Sequence, residues 1–340
     1  MLETSNSNPV TLPLPLFNPW NDLALAANDP HYTPPASAMQ MADDLCDLSR
    51  WWQDRGVLPW GWSPLMVRLL REAGVSEDCL PTAQQMADFR AFASRQTAVR
   101  LLHQLRATWS EPFRSGSLVG ESVWCESEAE VLSAIAADGS RVMLKAPWSG
   151  SGRGVHPVTG QLSEKDISWI RRILQRQGGV EVEPLYNKVQ DFAMEFWAEG
   201  GRVRYEGLSL FSTTEGGVYR GNLVASEAEK ERRLSASVSL SLLHDLRHHL
   251  EELLTSAGFP AWYTGPLGID MMIVESQDSS FKFQDSGFKF QVHPFVEMNL
   301  RITMGWVALQ MQRKMQENET ATFVLGKKDG RYCATLTKND

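Results

Sequence analysis

Apolar positions recur every three to four residues over residues 36–52 (Met39, Leu45, Leu48, Trp51, Trp52) and again over 64–73. The same spacing runs through 82–105 (Met86, Phe89, Phe92, Val99, Leu102, Leu105), and all three stretches are expected to be helical. Ser63 and Pro64 have the residue types of a helix cap and first turn, and the longest stretch is expected to break near Ala93 and Ser94. Residues 10–17 read as a first strand weakened by Pro13 and Pro15; residues 18–22 interrupt it, and 23–27 begin a short helix. After a linker over 112–120, the pattern becomes strand (123–124), helix (127–137), strand ending at Lys145, strand from Val155, helix (163–177) and strand (180–184). Two antiparallel strands, 191–198 and 202–212, follow around Gly200 and Gly201, and residues 215–222 read as a polar loop. A helix over 235–257 and strands at 268–274 and up to about 301 complete the pattern. The fold class expected is α/β passing into α+β, with a second unit beginning near residue 110 or 120.

Composition narrows the function classes. A chain of 340 residues with 43% hydrophobic and 22% charged positions is ordinary for a soluble globular protein of two or three lobes. A net charge of −8 argues against nucleic acid as a partner. Cys46, Cys79, Cys125 and Cys333 form no C-x-x-C pair, so neither a zinc site nor a disulfide framework is indicated. The first residues lack a signal-peptide pattern and no apolar run reaches membrane-spanning length, which leads to a cytoplasmic expectation with no membrane partner. His244 and His248 share a helix face but have no third ligand, and Trp51, Trp52, Trp60 and Trp62 are read as packing residues. The repeat of Phe281–Gln284 at Phe288–Gln291 reads as a hairpin arm.

The chemically loaded stretch is 142–155, where an apolar strand delivers Lys145 and is followed by Ser149, Gly150, Ser151, Gly152, Arg153 and Gly154. Backbone amides freed of Cβ interference can close on an anion. The lysine precedes the glycines, unlike in a P-loop, and a strand rather than a helix follows, unlike in a dinucleotide-binding turn. A flap over phosphates fits this order; a plain hairpin turn with an exposed lysine fits it too. Further on, Asp270 lies in an apolar strand where a lone carboxylate is expensive to bury, and alternation sets Glu297, Asn299 and Arg301 on one face. Two carboxylates and an amide oxygen suit Mg²⁺ shared with phosphates, and Arg301 suits a transferred phosphoryl group or an acyl phosphate; the competing reading is a buried salt-bridge cluster of Asp270, Glu297 and Arg301. Asn18, Asn21 and Asp22 follow the first strand, where open sheets place ligands, although such residues are also common in turns and caps.

Taken together, residues of about 90–310 resemble the ATP-grasp superfamily of carboxylate–amine and carboxylate–thiol ligases, which includes D-alanine ligase and glutathione synthetase. The resemblance implies an α/β lobe before the grasp (1–115), a small lobe carrying the lysine and flap (116–184) and a large lobe with the metal-binding strands (185–340). It implies that Lys145 meets the α and β phosphates, with Arg95 reaching the phosphates from the preceding lobe where the family more often has lysine. Ser149 to Gly154 would cover the β and γ phosphates. Glu183 would end the hinge strand at the adenine edge, and Asp191 would bind the ribose. Asp270, Glu297 and Asn299 would hold Mg²⁺, or Mn²⁺ in its place, with Arg301 completing a Glu-x-Asn-x-Arg run in which Leu300 replaces a frequent proline. Asn18, Asn21, Asp22, Tyr219, Arg220 and Asn222 would surround the acceptor. The activity implied is ATP-dependent joining of a small-molecule carboxylate to an amine or other nucleophile through an acyl phosphate, in a monomer or homo-oligomer. A small-molecule kinase and a non-catalytic nucleotide-binding protein are the alternatives. The whole reading expects Lys145 and the flap to face the three oxygen donors across a gap the size of a triphosphate.

Overall fold

The computed structural model describes residues 16–52, 57–139, 141–150, 154–214, 217–276 and 290–339. Most of the expected first strand, the flap residues Ser151, Gly152 and Arg153, and residues 281–289 of the duplicated arm lie outside them.

Helices come first: α1 (Asn21–Ala27), α2 (Ala36–Asp44), a 3₁₀ turn (Cys46–Trp51), α3 (Pro64–Glu72), α4 (Ala83–Phe92), α5 (Arg95–Thr108) and the single turn α6 (Glu111–Arg114). The expected cap at Ser63 is present, its hydroxyl accepting from the Met66 amide. Thr82 and Gln85 form a capping box at α4, and Ser94 caps α5 through the Gln96 amide, which is why the long helical pattern breaks there. No strand occurs among the described residues before Val123, so the expected N-terminal α/β lobe is helical over them. Leu16 and Phe17 are buried coil: the Leu16 carbonyl accepts from the Trp60 amide, and Phe17 packs edge-on to the Trp60 ring at 5.0 Å. Their apolar character reflects burial, with no ladder formed.

A small antiparallel sheet follows, built from β1 (Val123–Cys125), β2 (Arg141–Lys145), β3 (Val155–Thr159) and β4 (Val180–Pro184) in the order β1-β4-β2-β3. Helices α7 (Glu128–Ala137) and α8 (Glu164–Gln177) each begin with a capping box and pack on it through Val131, Ile135, Ile170 and Ile173. The large sheet contains β5 (Lys188–Glu199), β6 (Arg202–Thr213), β7 (Tyr219–Val224), β8 (Gly265–Glu275), β9 (Phe290–Asn299), β10 (Ala321–Lys328) and β11 (Arg331–Lys338). Its order is β11-β10-β7-β6-β5-β8-β9, antiparallel throughout. Between its strands lie α9 (Glu227–Leu234), α10 (Leu240–Ser256) and α11 (Met304–Gln312). The architecture is thus α+β, two antiparallel sheets with helices on them.

Two expectations change. Tyr219, Arg220 and Asn222 belong to strand β7, because β10 pairs with it from Ala321 to Val324 and completes a ladder that a local reading of residues 215–222 does not contain. The β10–β11 hairpin was not anticipated, although Asp329 and Gly330, both at positive φ, are the residue pair that such turns favour.

The N-terminal helices and the large sheet share one core. Leu70, Leu101, Leu102 and Leu105 pack in the same cluster as Phe192, Phe196, Ile269 and Phe295. Trp52 and Trp60 are buried with Phe17, Trp197 and Trp306, as the packing reading of those tryptophans expects. Each such ring contributes on the order of 1.5–3 kcal/mol by leaving water, enough to fix where α1 and the loop before it meet the sheet. His244 pairs with Glu231 at 2.8 Å and His248 with Glu252 at 3.3 Å on an exposed helix face, so the histidine pair is a solvated one.

Candidate functional site

Lys145 ends β2 directly opposite Glu181 of β4, and Glu183 lies two residues on, on the same face. Its ammonium is 2.7 Å from Glu183 Oε1 and 3.4 Å from Glu181 Oε1, and all three side chains are buried. Burial works against the charge on Lys145, but Glu181 and then Glu183 outweigh it and raise its pKa. Burial likewise opposes ionisation of Glu183, yet Lys145 and His293 bring it below the usual carboxylate range; Glu181 goes the other way, pushed up chiefly by desolvation. His293 Nε2 lies 3.4 Å from Glu183 Oε2, so the end of β4 sits beside β9.

Arg95 joins this group to the second set of carboxylates. At the start of α5, its guanidinium donates to the Ala146 carbonyl and the Ser149 hydroxyl, both at 2.6 Å, and to Glu297 Oε2 at 2.7 Å. Its Nε lies 4.0 Å from Glu181 Oε2. Its backbone amide also donates to the Pro147 carbonyl at 3.0 Å, so the root of the glycine segment is fastened to α5. Gly154 packs so closely on Ser149 that a Cβ there would overlap the serine side chain, and a Cβ on Gly150 would meet the Asp22 carboxylate at 2.7 Å. These two glycines are required for close approach.

On the large sheet, Asp270 of β8 and Glu297 of β9 are direct cross-strand partners, and Gly268 faces Asn299. Asn299 Nδ2 donates to Asp270 Oδ2 at 3.1 Å. Burial and the neighbouring charge of Glu297 push Asp270 up to about 7. Strand β9 ends at Asn299, and a tight backbone turn, Arg301 N to Asn299 O at 2.9 Å, sets the next arginine. Arg301 then grips Asp22 with both ends of its guanidinium, Nε to Oδ1 at 3.1 Å and Nη2 to Oδ2 at 3.0 Å.

The structure therefore brings Lys145, Arg95, Ser149, Glu183, Asp270, Glu297, Asn299, Arg301 and Asp22 into one charged network. Among the described residues, the space beside Ser149 and Arg301 is small. The space between Asp22, Trp148, Ser149, Glu297 and Arg301 measures about 10 Å³, room for roughly one water. Arg95 fills the interval, because a buried cation pairs with the nearest buried carboxylates when geometry allows it.

Other expected residues are placed differently. Asn18 is fully buried and bonds both ways with Gly61, its Nδ2 to the carbonyl at 2.9 Å and its Oδ1 from the amide at 3.2 Å. The buried Asn21 amide also packs against Gly61. Both asparagines thus anchor the loop, and only Asp22 reaches the charged network. Asn222 is 1% exposed and donates to Ser209 Oγ at 2.7 Å while accepting from Tyr219 at 2.6 Å; Arg220 points to solvent. Ladder formation buries Asn222 and turns Arg220 outward, so neither takes the loop position expected of it. Asp191 is half-buried on the Asp270 face of the sheet and accepts from Lys188 at 2.6 Å and Thr213 at 2.7 Å.

Glu195 was missed, although a single carboxylate inside the apolar run 192–197 is the same signal that marked Asp270. It is 1% exposed, accepts from Thr303 Oγ1 at 2.8 Å, and has no partner for Oε2 among the described residues. A Cβ on Gly305 would overlap both Glu195 and Ser209, so the chain passes there only as glycine. Burial first, then the charge of Asp270, pushes Glu195 up to about 8. A carboxyl whose pKa rises on folding binds its proton more tightly in the native state. Its contribution is favourable in the acid range and is lost as pH climbs from about 4.5 towards 8, at roughly 1.4 kcal/mol per pH unit at most. Glu195→Gln should leave the urea midpoint unchanged near pH 5 and raise it at pH 8; equal midpoints for the two proteins at pH 8 would contradict a raised pKa.

No protein-family model matches the sequence, and no curated protein matches it. Among solved structures it is similar to the N5-carboxyaminoimidazole synthetase of Staphylococcus aureus complexed with ADP, at 13% identity and a TM-score of 0.45 over 81% of this chain and 74% of that one. The biotin carboxylase domain of the Hydrogenobacter thermophilus 2-oxoglutarate carboxylase, in complex with MgADP, ADP and bicarbonate, matches at 13% identity and a TM-score of 0.47, over 86% of this chain and 63% of that one. Biotin carboxylase of Campylobacter jejuni matches at 16% identity and a TM-score of 0.42, over 69% and 51%. These likenesses are distant. No described helix is long and apolar enough to cross a membrane.

Proposed function

We propose that this chain is an ATP-grasp enzyme that uses ATP and Mg²⁺ to join a small-molecule carboxylate to an amine or other nucleophile through an acyl phosphate. The observation that carries the reading is the bridge made by Arg95, whose guanidinium links the root of the glycine segment to Glu297, beside Lys145 on one side and Asp270 on the other. Arg95 there joins the glycine segment to Glu297, beside Asp270 and Asn299, and lies close to Glu181, which Lys145 faces. That is the chemistry a triphosphate with a divalent cation requires, and the elements occur along the chain in the order that the sequence resemblance implies.

The donor set suits the metal. Asp270 and Glu297 face each other across the strand pair, and burial together with the charge of Glu297 disfavours the charge of Asp270, a penalty that a divalent cation would relieve. Mg²⁺ typically takes one or two carboxylates and completes its shell with phosphates and water, so Asp270, Glu297 and Asn299 would be sufficient. When bound, it would neutralise charge on the phosphates.

In this reading Lys145 and Arg95 exchange their present carboxylate partners for phosphate oxygens. The lobes must part to admit the nucleotide, and residues 149–154 close over it to exclude water. Glu183 lies at the adenine edge and Asp191 at the ribose. Arg301, released from Asp22, orients the acceptor carboxylate by forked hydrogen bonds as its oxygen attacks the γ-phosphorus and ADP leaves. The nucleophile then displaces phosphate from the acyl carbon.

The test is an ADP-release screen of the purified protein with MgATP and pools of carboxylates and amines, followed by mass spectrometry of the products. The expected result is ADP and phosphate in equal amounts, together with a joined product. Phosphate retained on a single acceptor would make the chain a kinase, and MgATP binding with no turnover would make it a nucleotide-binding protein. No detectable MgATP binding would remove the proposal.

A further inference from the structure

On the helical N-terminal region a second, half-open cavity of about 490 Å³ lies between α3 and α4. This lies within the range of about 300–1,000 Å³ usual for small-molecule sites. Pro64 and Val67 of α3, Pro81, and Met86 and Ala87 of α4 give it apolar walls, and Arg90 of α4 supplies a charge. Unlike Arg95 and Arg301, Arg90 is paired with no carboxylate among the described residues. Its Nε donates to the Leu25 carbonyl at 2.8 Å, and its guanidinium carbon lies 3.7 Å from the centroid of the Trp148 ring. The Trp148 indole in turn donates to the Arg90 carbonyl at 2.9 Å. The stack fixes the guanidinium in place while leaving in-plane N–H groups without an anion. Arg71, the other arginine lining the cavity, is already held by both oxygens of Glu77, at 2.5 and 2.9 Å.

The electrostatics agree with this geometry. Burial lowers the pKa of Arg90, whereas facing carboxylates raise those of Arg71, Arg95 and Arg301. A half-buried cation with no counter-charge, at the wall of an apolar cavity, is half of an ion pair whose other half must come from outside.

We propose that this cavity binds a small organic monocarboxylate with a compact apolar body, the carboxylate on Arg90 and the body among Val67, Pro81, Met86 and Ala87. One uncompensated positive charge selects a monoanion, and the apolar walls select against small hydrophilic acids. The Arg90–Trp148 stack is also a party wall, because Trp148 lines the small space beside Ser149, Glu297 and Arg301. Occupancy of the cavity thus bears directly on the residue that leads into the glycine segment. The site does not depend on the ATP reading.

Calorimetry and ligand-observed NMR on the whole chain, without nucleotide, test it with sodium hexanoate and sodium cyclohexanecarboxylate as probes. Both should bind at roughly millimolar affinity, and acetate and hexanamide at least tenfold more weakly. Arg90→Met should weaken hexanoate at least tenfold. Ala87→Trp, a change at an exposed helix position that fills the cavity from its wall, should do the same while the protein keeps its thermal midpoint. Hexanamide binding as tightly as hexanoate, undiminished binding in Ala87→Trp, or no binding to the wild-type chain would each overturn the proposal. ATP turnover enters none of these measurements, so their failure leaves the ligase reading where it stands.

Discussion

Replacing Lys145 with methionine is expected to lower ATP-dependent phosphate release by about 10²–10³-fold, the usual loss when one preorganised electrostatic contact to a reacting oxygen is removed. The same change should reduce stability by about 3–5 kcal/mol, because Glu181 and Glu183 would remain buried after losing the cation between them. The two effects are separable: urea unfolding reports the second, and turnover per folded molecule, measured well below the unfolding midpoint, reports the first. A folded Lys145→Met protein with wild-type turnover would remove Lys145 from the chemistry and the ATP-grasp assignment with it.

Asp270→Asn should separate activity from stability in the opposite sense. The folded protein holds Asp270 near pH 7, above the ordinary carboxylate range, so its ionised form is disfavoured on folding and its contribution to stability falls as pH rises from about 4 to 7. A neutral amide of the same shape does not carry that penalty and can still accept from Asn299. The variant should therefore be at least as stable as the wild type at pH 8. Its ATP turnover should fall by about 10²-fold or more, since an amide is a far weaker metal ligand than a carboxylate. Mn²⁺ titration should show a matching loss of metal affinity in the presence of ATP. Retained turnover and metal response together would show that Asp270 serves only the ion-pair cluster.

Much of the site was legible because its residue types are costly in their settings. A carboxylate in the apolar run 267–274, a lysine at the end of an apolar strand and glycines directly after it each conflict with simple burial, and such conflicts mark functional candidates. Glu181 carries the same signal in its alternation with Glu183, and so does Glu195, but inside a strand pattern neither stands out from its neighbours. Asn18 and Asn21 illustrate the converse. Their chemistry suits a ligand, and only the approach of Gly61 shows that the Asn18 amide is spent on the backbone and that the Asn21 amide packs against it. Asn222 and Arg220 were misplaced because a distant strand, β10, converts a polar stretch into a ladder.

The sequence by itself determined most strands and most helices, though not α9 or α11, through periodicity and capping residues, and the linear order of the lysine strand, glycine segment and acidic strands. These are local properties, set within a few residues by backbone sterics and side-chain spacing. Tertiary structure alone decided which charges meet. Arg95, 202 positions from Glu297 in the chain, lies against it, and Asp22, 279 positions from Arg301, occupies its fork. Among the described residues, these pairs occupy part of the interval where a triphosphate is expected. The reason is that burial in low dielectric makes each charge seek a partner wherever packing of the helices on the large sheet brings one within reach, and that packing is a property of the whole core.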